Sequence, residues 1–284
     1  MNIISVNEWL QENESQFLPP VCNKMLHNDQ LKVMFVGGPN EREDYHIEKG
    51  EELFYMLKGD MCLKTIEKGE RRDVIIREGE CFLLPGRIPH SPQRYEDTIG
   101  LVIERERIPS ELDGLRYFIK DSITPLFERW FYCENLGEQL VPIINEFFSC
   151  EERVTQIPTK YSIPESEPYA LNDTQSTDQP INVEQFLQEN RSQIETSAKR
   201  MFSEDSKTDV WWYGPGTFEI FSNDHDTFLW QWRSKGSISS EGETKTFSVN
   251  NCILVPKNVI MSLVNENSDC VTLSVAMPVP KRLL

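Results

Sequence analysis

"DYHIEKGEELFYMLKGD", residues 44–60, places one of the chain's four histidines among charged residues and follows it with a strand-like apolar run. In a strand, side chains two residues apart lie on the same face. The neighbours that would share the face of His46 are Arg42, Asp44 and Glu48. The stretch therefore predicts two short strands, the first of which carries a histidine and several charged side chains on one side.

Short strand-like runs continue around this stretch, separated by glycine, proline and aspartate. They are LKVMFVGG (31–38), ELFYMLKG (52–59), MCLKTIEKG (61–69), DVIIREG (73–79), ECFLLPG (80–86) and IGLVIERE (99–106). Many short strands joined by tight turns are typical of an antiparallel sandwich or barrel. The sequence therefore predicts an all-β fold.

A few helical patterns accompany these strands. Each half of the chain opens with one, exemplified by the spacing of Val6, Trp9 and Leu10. A longer stretch, residues 125–153, also has apolar residues at helical spacing. We expect it to form a pair of helices that cover the barrel.

The chain repeats itself. WLQENESQ (9–16) returns as FLQENRSQ (186–193), and GECFLLPGRIPH (79–90) aligns with NNCILVPKNVIM (250–261). Such repetition indicates a duplicated domain. We therefore expect two barrels in one chain, a pseudo-dimer that needs no second subunit and is a monomer.

A composition change separates the two halves. Residues 157–180 are rich in proline, serine, threonine and acidic residues, and such a segment cannot bury enough apolar surface to form a core element. We expect a domain at 1–160, a linker at 161–177 and a second domain at 178–284.

Charge and cysteine content limit the possible partners. A net charge of −17 repels nucleic acid and anionic membranes, and an anionic substrate would need locally placed arginines. No segment approaches the roughly 20 apolar residues of a membrane span. The seven cysteines include no Cys-x-x-Cys pair, and the first residues show no signal-peptide pattern. We expect reduced thiols in a cytoplasmic protein with no nucleic-acid or membrane partner.

A second histidine lies in LLPGRIPHSPQR (83–94), where prolines and a glycine shape a turn before His90. By strand parity, His90 shares a face with Arg94. His46 likewise has Arg42 four residues away on its own side. Each histidine is therefore expected to have an arginine beside it.

The spacing of these residues resembles the cupin family, which has a His-x-His-x(3,4)-Glu-x(6)-Gly motif and a Gly-x(5)-Pro-x(4)-His motif. The matching residues are His46, Glu48, Glu52 and Gly59 in the first motif and Gly79, Pro85 and His90 in the second. Glu48 stands where the usual second histidine would be. The remaining set of two histidines and one carboxylate is the facial triad that binds non-haem Fe(II) and leaves positions open.

Within the cupins, NEREDYHIEKGEE (40–52), GECFLLPGRIPHSPQR (79–94) and LVIERER (101–107) resemble the eukaryotic 3-hydroxyanthranilate 3,4-dioxygenases. The resemblance implies Fe(2+) as cofactor and ring opening of 3-hydroxyanthranilate, a small aromatic carboxylate, by O2. The site residues that it implies are the iron ligands His46, Glu52 and His90, the substrate contacts Arg94, Glu104 and Glu52, and Arg42 near the O2 position.

Simpler interpretations remain open at this point. The alternating charges around Glu104 are also typical of an exposed sheet edge. The chain could be another mononuclear cupin dioxygenase, or a non-catalytic metal-binding cupin. In the second half, the repeat alignment sets Asn223, Leu229 and Met261 opposite His46, Glu52 and His90. We therefore expect no metal site there.

Overall fold

The computed structural model describes residues 1–18, 22–40 and 42–279, with the backbone alone at 136 and 137. The strands are β1 (Ile4–Ser5), β2 (Asn23–Asn28), β3 (Leu31–Gly37), β4 (Tyr45–Ile47), β5 (Glu52–Lys58), β6 (Met61–Glu67), β7 (Glu70–Ile76), β8 (Glu80–Leu84), β9 (His90–Arg94), β10 (Ile99–Arg105), β11 (Asp113–Phe118), β12 (Pro125–Phe131), β13 (Ile181–Asn182), β14 (Ala198–Arg200), β15 (Asp209–Tyr213), β16 (Gly216–Ile220), β17 (Thr227–Arg233), β18 (Gly236–Ser240), β19 (Glu243–Phe247), β20 (Asn251–Val255), β21 (Met261–Asn265) and β22 (Val271–Ala276). The helices are α1 (Val6–Glu12), α2 (Leu136–Ser149), α3 (Glu152–Thr155), α4 (Val183–Glu189) and α5 (Arg191–Ile194), with a 3-10 turn at Glu14–Phe17.

Four antiparallel sheets form two barrels. The first barrel consists of two sheets in the orders β13-β8-β5-β10-β3-β2 and β12-β11-β4-β9-β6-β7. The second barrel consists of two sheets in the orders β1-β20-β17-β22-β15-β14 and β16-β21-β18-β19. The prediction of an all-β fold with two cupin barrels in one chain and a few helices is confirmed.

Alternate residues of the central strands serve two different cores, as strand geometry requires. Phe54 of β5 and Val102 of β10 face the interior of the first barrel. Leu53 and Ile103, one position along, pack between the barrels with Trp230 of the second barrel. A fully buried large apolar side chain contributes about 1.5–3 kcal/mol, so the cluster between the barrels fixes their mutual orientation.

The first strand of each half pairs with a strand of the other half. Ile4 of β1 pairs with Cys252 in the second barrel, and Ile181 of β13 pairs with Cys81 in the first barrel. The helix that follows each strand is capped alike, because the side chains of Ser5 and Asn182 accept a hydrogen bond from a first-turn backbone N–H. The repeated sequence segments therefore follow the two exchanged strands, and this exchange connects the two halves.

The expected helix pair at 125–153 is partly wrong. Residues 136–149 are helical as predicted, but Pro125–Phe131 is strand β12, paired with β11. Leu126 and Phe127 are both buried although their side chains point to opposite faces. A short strand that is covered on both faces shows the same apolar density as a helix, so the sequence pattern does not separate the two.

Residues 157–180 contain no helix or strand, but polar contacts hold this segment against the first barrel. Thr177 donates to buried Glu67 from its backbone N–H at 2.9 Å and from its hydroxyl at 2.9 Å. Burial raises the pKa of Glu67, but hydrogen bonds from Thr65, Thr177 and Arg72 outweigh that effect and lower it below its usual value. The segment is therefore ordered by hydrogen bonds rather than by an apolar core.

All seven cysteines are free thiols, and six of them are buried. No helix within the described part of the chain is long and apolar enough to cross a membrane.

Candidate metal and substrate site

Strand pairing brings the two motif histidines together at one end of the first barrel. His46 of β4 and His90 of β9 are directly opposite each other, and their ring centroids are 5.2 Å apart. Glu52 shares the inward face of β5 with Phe54, and Glu104 shares the inward face of β10 with Val102, because residues two apart point the same way. Both carboxylates therefore enter the interior of the barrel beside the histidines.

His46, Glu52 and His90 form a buried cluster whose ligand atoms all lie within 4.8 Å of one another. His90 donates from Nδ1 to the carbonyl oxygen of Ile88 at 3.0 Å, which leaves Nε2 to face Glu52. His46 donates from Nε2 to Asp113 at 2.9 Å, which leaves Nδ1 to face Glu52. Such outer hydrogen bonds fix the tautomer and the orientation of metal-binding histidines.

The donor atoms of this cluster fit a bound cation. Nε2 of His90 lies 2.8 Å from Oε1 of Glu52, yet the geometry is not that of a hydrogen bond, and this buried oxygen has no hydrogen-bond partner among the described residues. Because Nδ1 of His90 donates to the Ile88 carbonyl, the lone pair of Nε2 is the one that can bind a cation beside that carboxylate. Two acceptors that face each other in a buried site are stabilised by a positive charge between them. Two histidines and a carboxylate suit a divalent transition metal.

The charges of the cluster shift its pKa values strongly. Burial alone would lower the pKa of His46, but the carboxylates of Asp113 and Glu52 raise it to about 9. Burial would raise the pKa of Glu52, but the two histidines hold it well below its ordinary value. His46 and Glu52 therefore favour each other's charged forms.

A second set of carboxylates adjoins the cluster. Glu48, Glu52 and Glu104 place oxygen atoms within 4.8 Å of one another, all buried. Arg107 contacts Glu48 at 2.5 Å and Glu104 at 2.8 Å. Burial and the neighbouring carboxylates, Glu52 first among them, hold the pKa of Glu48 well above its usual value despite Arg107.

Arg94 shares the face of His90 on β9, as parity predicted; this face points inward, and Arg94 is only 6% exposed. Its Nε has no hydrogen-bond partner, and no carboxylate within the described ranges forms an ion pair with it. Burial and the nearby Arg42 lower its pKa to about 10, so it remains charged at neutral pH. A buried guanidinium without a partner is costly unless an anion binds to it.

Arg42 is half-buried at the same end of the barrel. It already has a partner, because its Nε lies 3.2 Å and 3.1 Å from the two carboxylate oxygens of Asp44. Burial would lower the pKa of Arg42, but the negative charge of Asp44 and, to a smaller extent, that of Glu52 raise it. The structure therefore brings Arg42 near the cluster. Its ion pair with Asp44 leaves only part of the guanidinium available to a ligand.

Gly86 allows the motif that contains His90 to pack against the motif that contains His46 and Glu52. A Cβ at this position would lie 2.3 Å from the carbonyl oxygen of Lys49 and 2.6 Å from that of Gly50. The turn before His90 therefore packs directly on the turn between His46 and Glu52, and only glycine permits this approach.

The sheet register corrects the expected counterparts in the second barrel. Met261 does occupy the place of His90, but its partner across the ladder is Ile220, so Ile220 and not Asn223 stands opposite His46. Glu52 pairs with Leu84 as Thr227 pairs with Val255, so Thr227 and not Leu229 is the counterpart of Glu52. The two loops differ in length between the halves, and a fixed sequence offset therefore misplaces these residues. None of the three true counterparts is a histidine or carboxylate.

The two remaining histidines lie elsewhere. His27 packs edge-on against Phe228 between the barrels. His225 contacts Ser222 and Asp224 at the surface. Within the described ranges, both groups of side chains that could hold a metal ion lie in the first barrel.

The sequence interpretation missed Asp113 and Arg107. Asp113 is fully buried at the start of β11, with Cys133 and His46 near it and no motif around it. Arg107 ends the run LVIERER, where parity would direct it away from Glu104. The strand ends at Arg105, so parity no longer applies and Arg107 turns inward. The alternative interpretation, an exposed sheet edge around Glu104, is wrong, because β10 lies between β3 and β5 and Glu104 is buried.

Comparison with known proteins agrees with this arrangement. Residues 1–148 match the family described as 3-hydroxyanthranilic acid dioxygenase. The 3-hydroxyanthranilate 3,4-dioxygenase of Bos taurus is 46% identical over 258 residues, which cover 90% of each chain. The enzyme of the same name from Xenopus laevis is 44% identical over 278 residues, which cover 98% of each chain.

Among solved structures, a salicylate 1,2-dioxygenase from Pseudaminobacter salicylatoxidans matches with a TM-score of 0.58 at 14% identity, covering 97% of this chain and 83% of the other. At this identity the similarity concerns the fold, and it agrees with the two-barrel architecture.

Proposed function

Because the chain belongs to the 3-hydroxyanthranilic acid dioxygenase family, and is therefore a dioxygenase, we propose that it opens the aromatic ring of 3-hydroxyanthranilate with O2. The observation that carries this proposal is the buried guanidinium of Arg94, which has no ion-pair partner among the described residues and lies beside a His–Glu–His cluster. A non-catalytic metal-binding cupin would have no use for such a charge.

We propose Fe(2+) as the cofactor, held by His46, Glu52 and His90. The metal would supply open coordination positions at which the ring substituents and O2 meet. The rest of the first barrel orients these ligands, since Asp113 fixes the ring of His46 and the Ile88 carbonyl fixes that of His90.

Arg94 is the proposed partner of the substrate carboxylate. A planar guanidinium can donate two parallel hydrogen bonds to a carboxylate, which sets the orientation of the ring as well as its position. In a chain with a net charge of −17, this local cation also draws the anion into the barrel.

Glu104 and Glu52 are the proposed contacts of the hydroxyl and amino groups on the ring. Glu104 would accept a proton from the ring hydroxyl or hold it by a hydrogen bond. Arg42 would stabilise negative charge that develops on O2, in a position that it shares with Asp44.

The expected product is 2-amino-3-carboxymuconate semialdehyde, a precursor of quinolinate and NAD in the kynurenine pathway. We propose that the protein acts in the cytoplasm, in keeping with its seven free thiols. We also propose a monomer with a catalytic domain at 1–160, a linker at 161–177 and a domain without metal at 178–284. The exchanged strands β1 and β13 support an assembly that is complete within one chain.

The direct test is to load the protein with Fe(II) under anaerobic conditions, then add 3-hydroxyanthranilate and air and follow absorbance of the ring-opened product. A control with salicylate, which has a single ring hydroxyl in place of the adjacent amino and hydroxyl groups, separates this reaction from that of other ring-cleaving cupins. Turnover of 3-hydroxyanthranilate supports the proposal. An iron-loaded chain that leaves 3-hydroxyanthranilate intact would contradict it.

A further inference from the structure

Arg107 connects the two sides of the candidate site. Its guanidinium contacts Asp113 with Nε at 3.2 Å and with Nη2 at 2.9 Å, and it contacts Glu104 with Nη1 at 2.8 Å. Asp113 in turn accepts a hydrogen bond from His46 at 2.9 Å. A continuous chain of buried contacts therefore runs from Glu104 through Arg107 and Asp113 to His46.

The surroundings leave Arg107 little freedom. Its side chain is 3% exposed, and Glu48 also contacts it at 2.5 Å. Three buried carboxylates thus share one guanidinium, and each would be costly to bury without it. Only the planar fork of an arginine offers enough donors in fixed directions to reach all three.

We propose that Arg107 is a positioning residue that couples the metal-binding side of the site to its substrate-binding side. It keeps Asp113 aimed at His46, so that Nδ1 of His46 faces the cation site, and it keeps Glu104 turned toward the substrate. This inference rests on the proposed function for the role of Glu104, whereas the part that concerns His46 needs only a bound metal.

Arg105 offers a matched comparison two residues away. It is also buried, and it forms a bidentate ion pair with Glu111 at 2.7 Å and 2.8 Å. Among the described residues, no hydrogen bond or ion pair joins either of these side chains to the histidine cluster or to the carboxylate of Glu104. The two arginines therefore test the same loss of a buried ion pair, once with and once without a connection to the site.

The experiment compares Arg107→Lys, Arg105→Lys, Asp113→Asn and the double variant of Arg107→Lys with Asp113→Asn. Lysine keeps the positive charge among the carboxylates, so the variant is expected to fold. As a point charge, however, it cannot hold three carboxylates in fixed directions. Fe(II) affinity is measured anaerobically by competition with a chromogenic chelator. Loss of an outer-shell partner typically weakens metal binding by about 10–100-fold.

We expect Arg107→Lys and Asp113→Asn each to weaken Fe(II) binding by roughly that factor, and Arg105→Lys to change it by less than about threefold. The double variant should bind Fe(II) about as weakly as the weaker single variant, because both substitutions interrupt the same chain of contacts. At saturating iron, Arg107→Lys should lower kcat more than it raises KM, since Glu104 loses its orientation but substrate binding remains with Arg94.

Unchanged affinity in Arg107→Lys, equal losses in the Arg105 and Arg107 variants, or losses that multiply in the double variant would each overturn the coupling. The titration involves no substrate. A wild-type chain that binds Fe(II) but does not open 3-hydroxyanthranilate would contradict the proposed reaction while the affinity pattern still decides the role toward His46. A chain that binds no Fe(II) would overturn both.

Discussion

Arg94→Met is predicted to separate substrate recognition from folding. Methionine removes the charge and keeps most of the volume, so the expected effects come from the guanidinium rather than from a cavity. Arg94 is 6% exposed and has no ion-pair partner within the described residues. Bound substrate would supply that partner, and the variant would leave the carboxylate of the substrate buried and unpaired.

The magnitude follows from the burial. Removing one partner of a buried ion pair costs about 3–5 kcal/mol, and we take the lower half of this range, because solvent screens a charge that is partly accessible. At about 1.36 kcal/mol per tenfold change, kcat/KM for 3-hydroxyanthranilate should fall by roughly two to three orders of magnitude. Fe(II) content at saturating iron should be unchanged, because Arg94 acts on Glu52 only through its charge and forms no hydrogen bond or ion pair with a proposed ligand.

The Arg94→Met substitution should not lower the folding stability, although it lowers kcat/KM. An unsatisfied buried polar group costs about 1–3 kcal/mol, so the free Arg94→Met protein should be as stable as wild type or more stable. Arg116 is a matched control, because it is also 6% exposed but contacts Glu128 and Glu167. Arg116→Met should lower Tm and leave the substrate preference unchanged.

The assay measures kcat/KM for 3-hydroxyanthranilate and for 2-aminophenol, which keeps the chelating pair and lacks the carboxylate. Wild type should use 2-aminophenol poorly, and Arg94→Met should use it about equally poorly. An Arg94→Met enzyme with normal kcat/KM for 3-hydroxyanthranilate, or with equal losses on both substrates, would falsify this role. It would favour another cupin dioxygenase reaction.

Three further predictions concern metal, pH and packing. We expect one iron per chain by metal analysis, lost in His46→Ala and retained in Thr227→Ala; two tightly held irons would contradict the single site. Folding lowers the pKa of Glu67, so its contribution to stability is present at neutral pH and disappears as the pH falls through that lowered pKa. Glu67→Gln should therefore lower the unfolding free energy by about 1–3 kcal/mol at neutral pH, with a smaller deficit in acid, and an equal deficit in urea titrations at both pH values would refute this. Gly86→Ala should cost about 1–3 kcal/mol and weaken Fe(II) binding, because a Cβ meets the backbone of Lys49; an unchanged Tm and affinity would count against the close packing of the two motifs.

The sequence by itself determined the elements whose signals are local. Strand parity and turn residues act over a few positions, so the shared face of His90 and Arg94 could be predicted without a structure. The spacing of the two cupin motifs likewise indicated the cluster of His46, Glu52 and His90. The repeat was visible because α1 and α4 have similar sequences, each preceded by a capping side chain.

Only the tertiary structure decided the features that depend on distant or competing contacts. His46 and Asp113 are 67 residues apart in sequence, and no local pattern connects them. Arg107 faces the site because β10 ends two residues before it, and strand ends depend on the pairing of neighbouring strands. The strand at Pro125–Phe131 replaced a predicted helix because cover on both faces imitates helical spacing. The exchange of β1 and β13 could not be read either, since a two-residue strand carries too little pattern to name its partner, and packing between the barrels decides it.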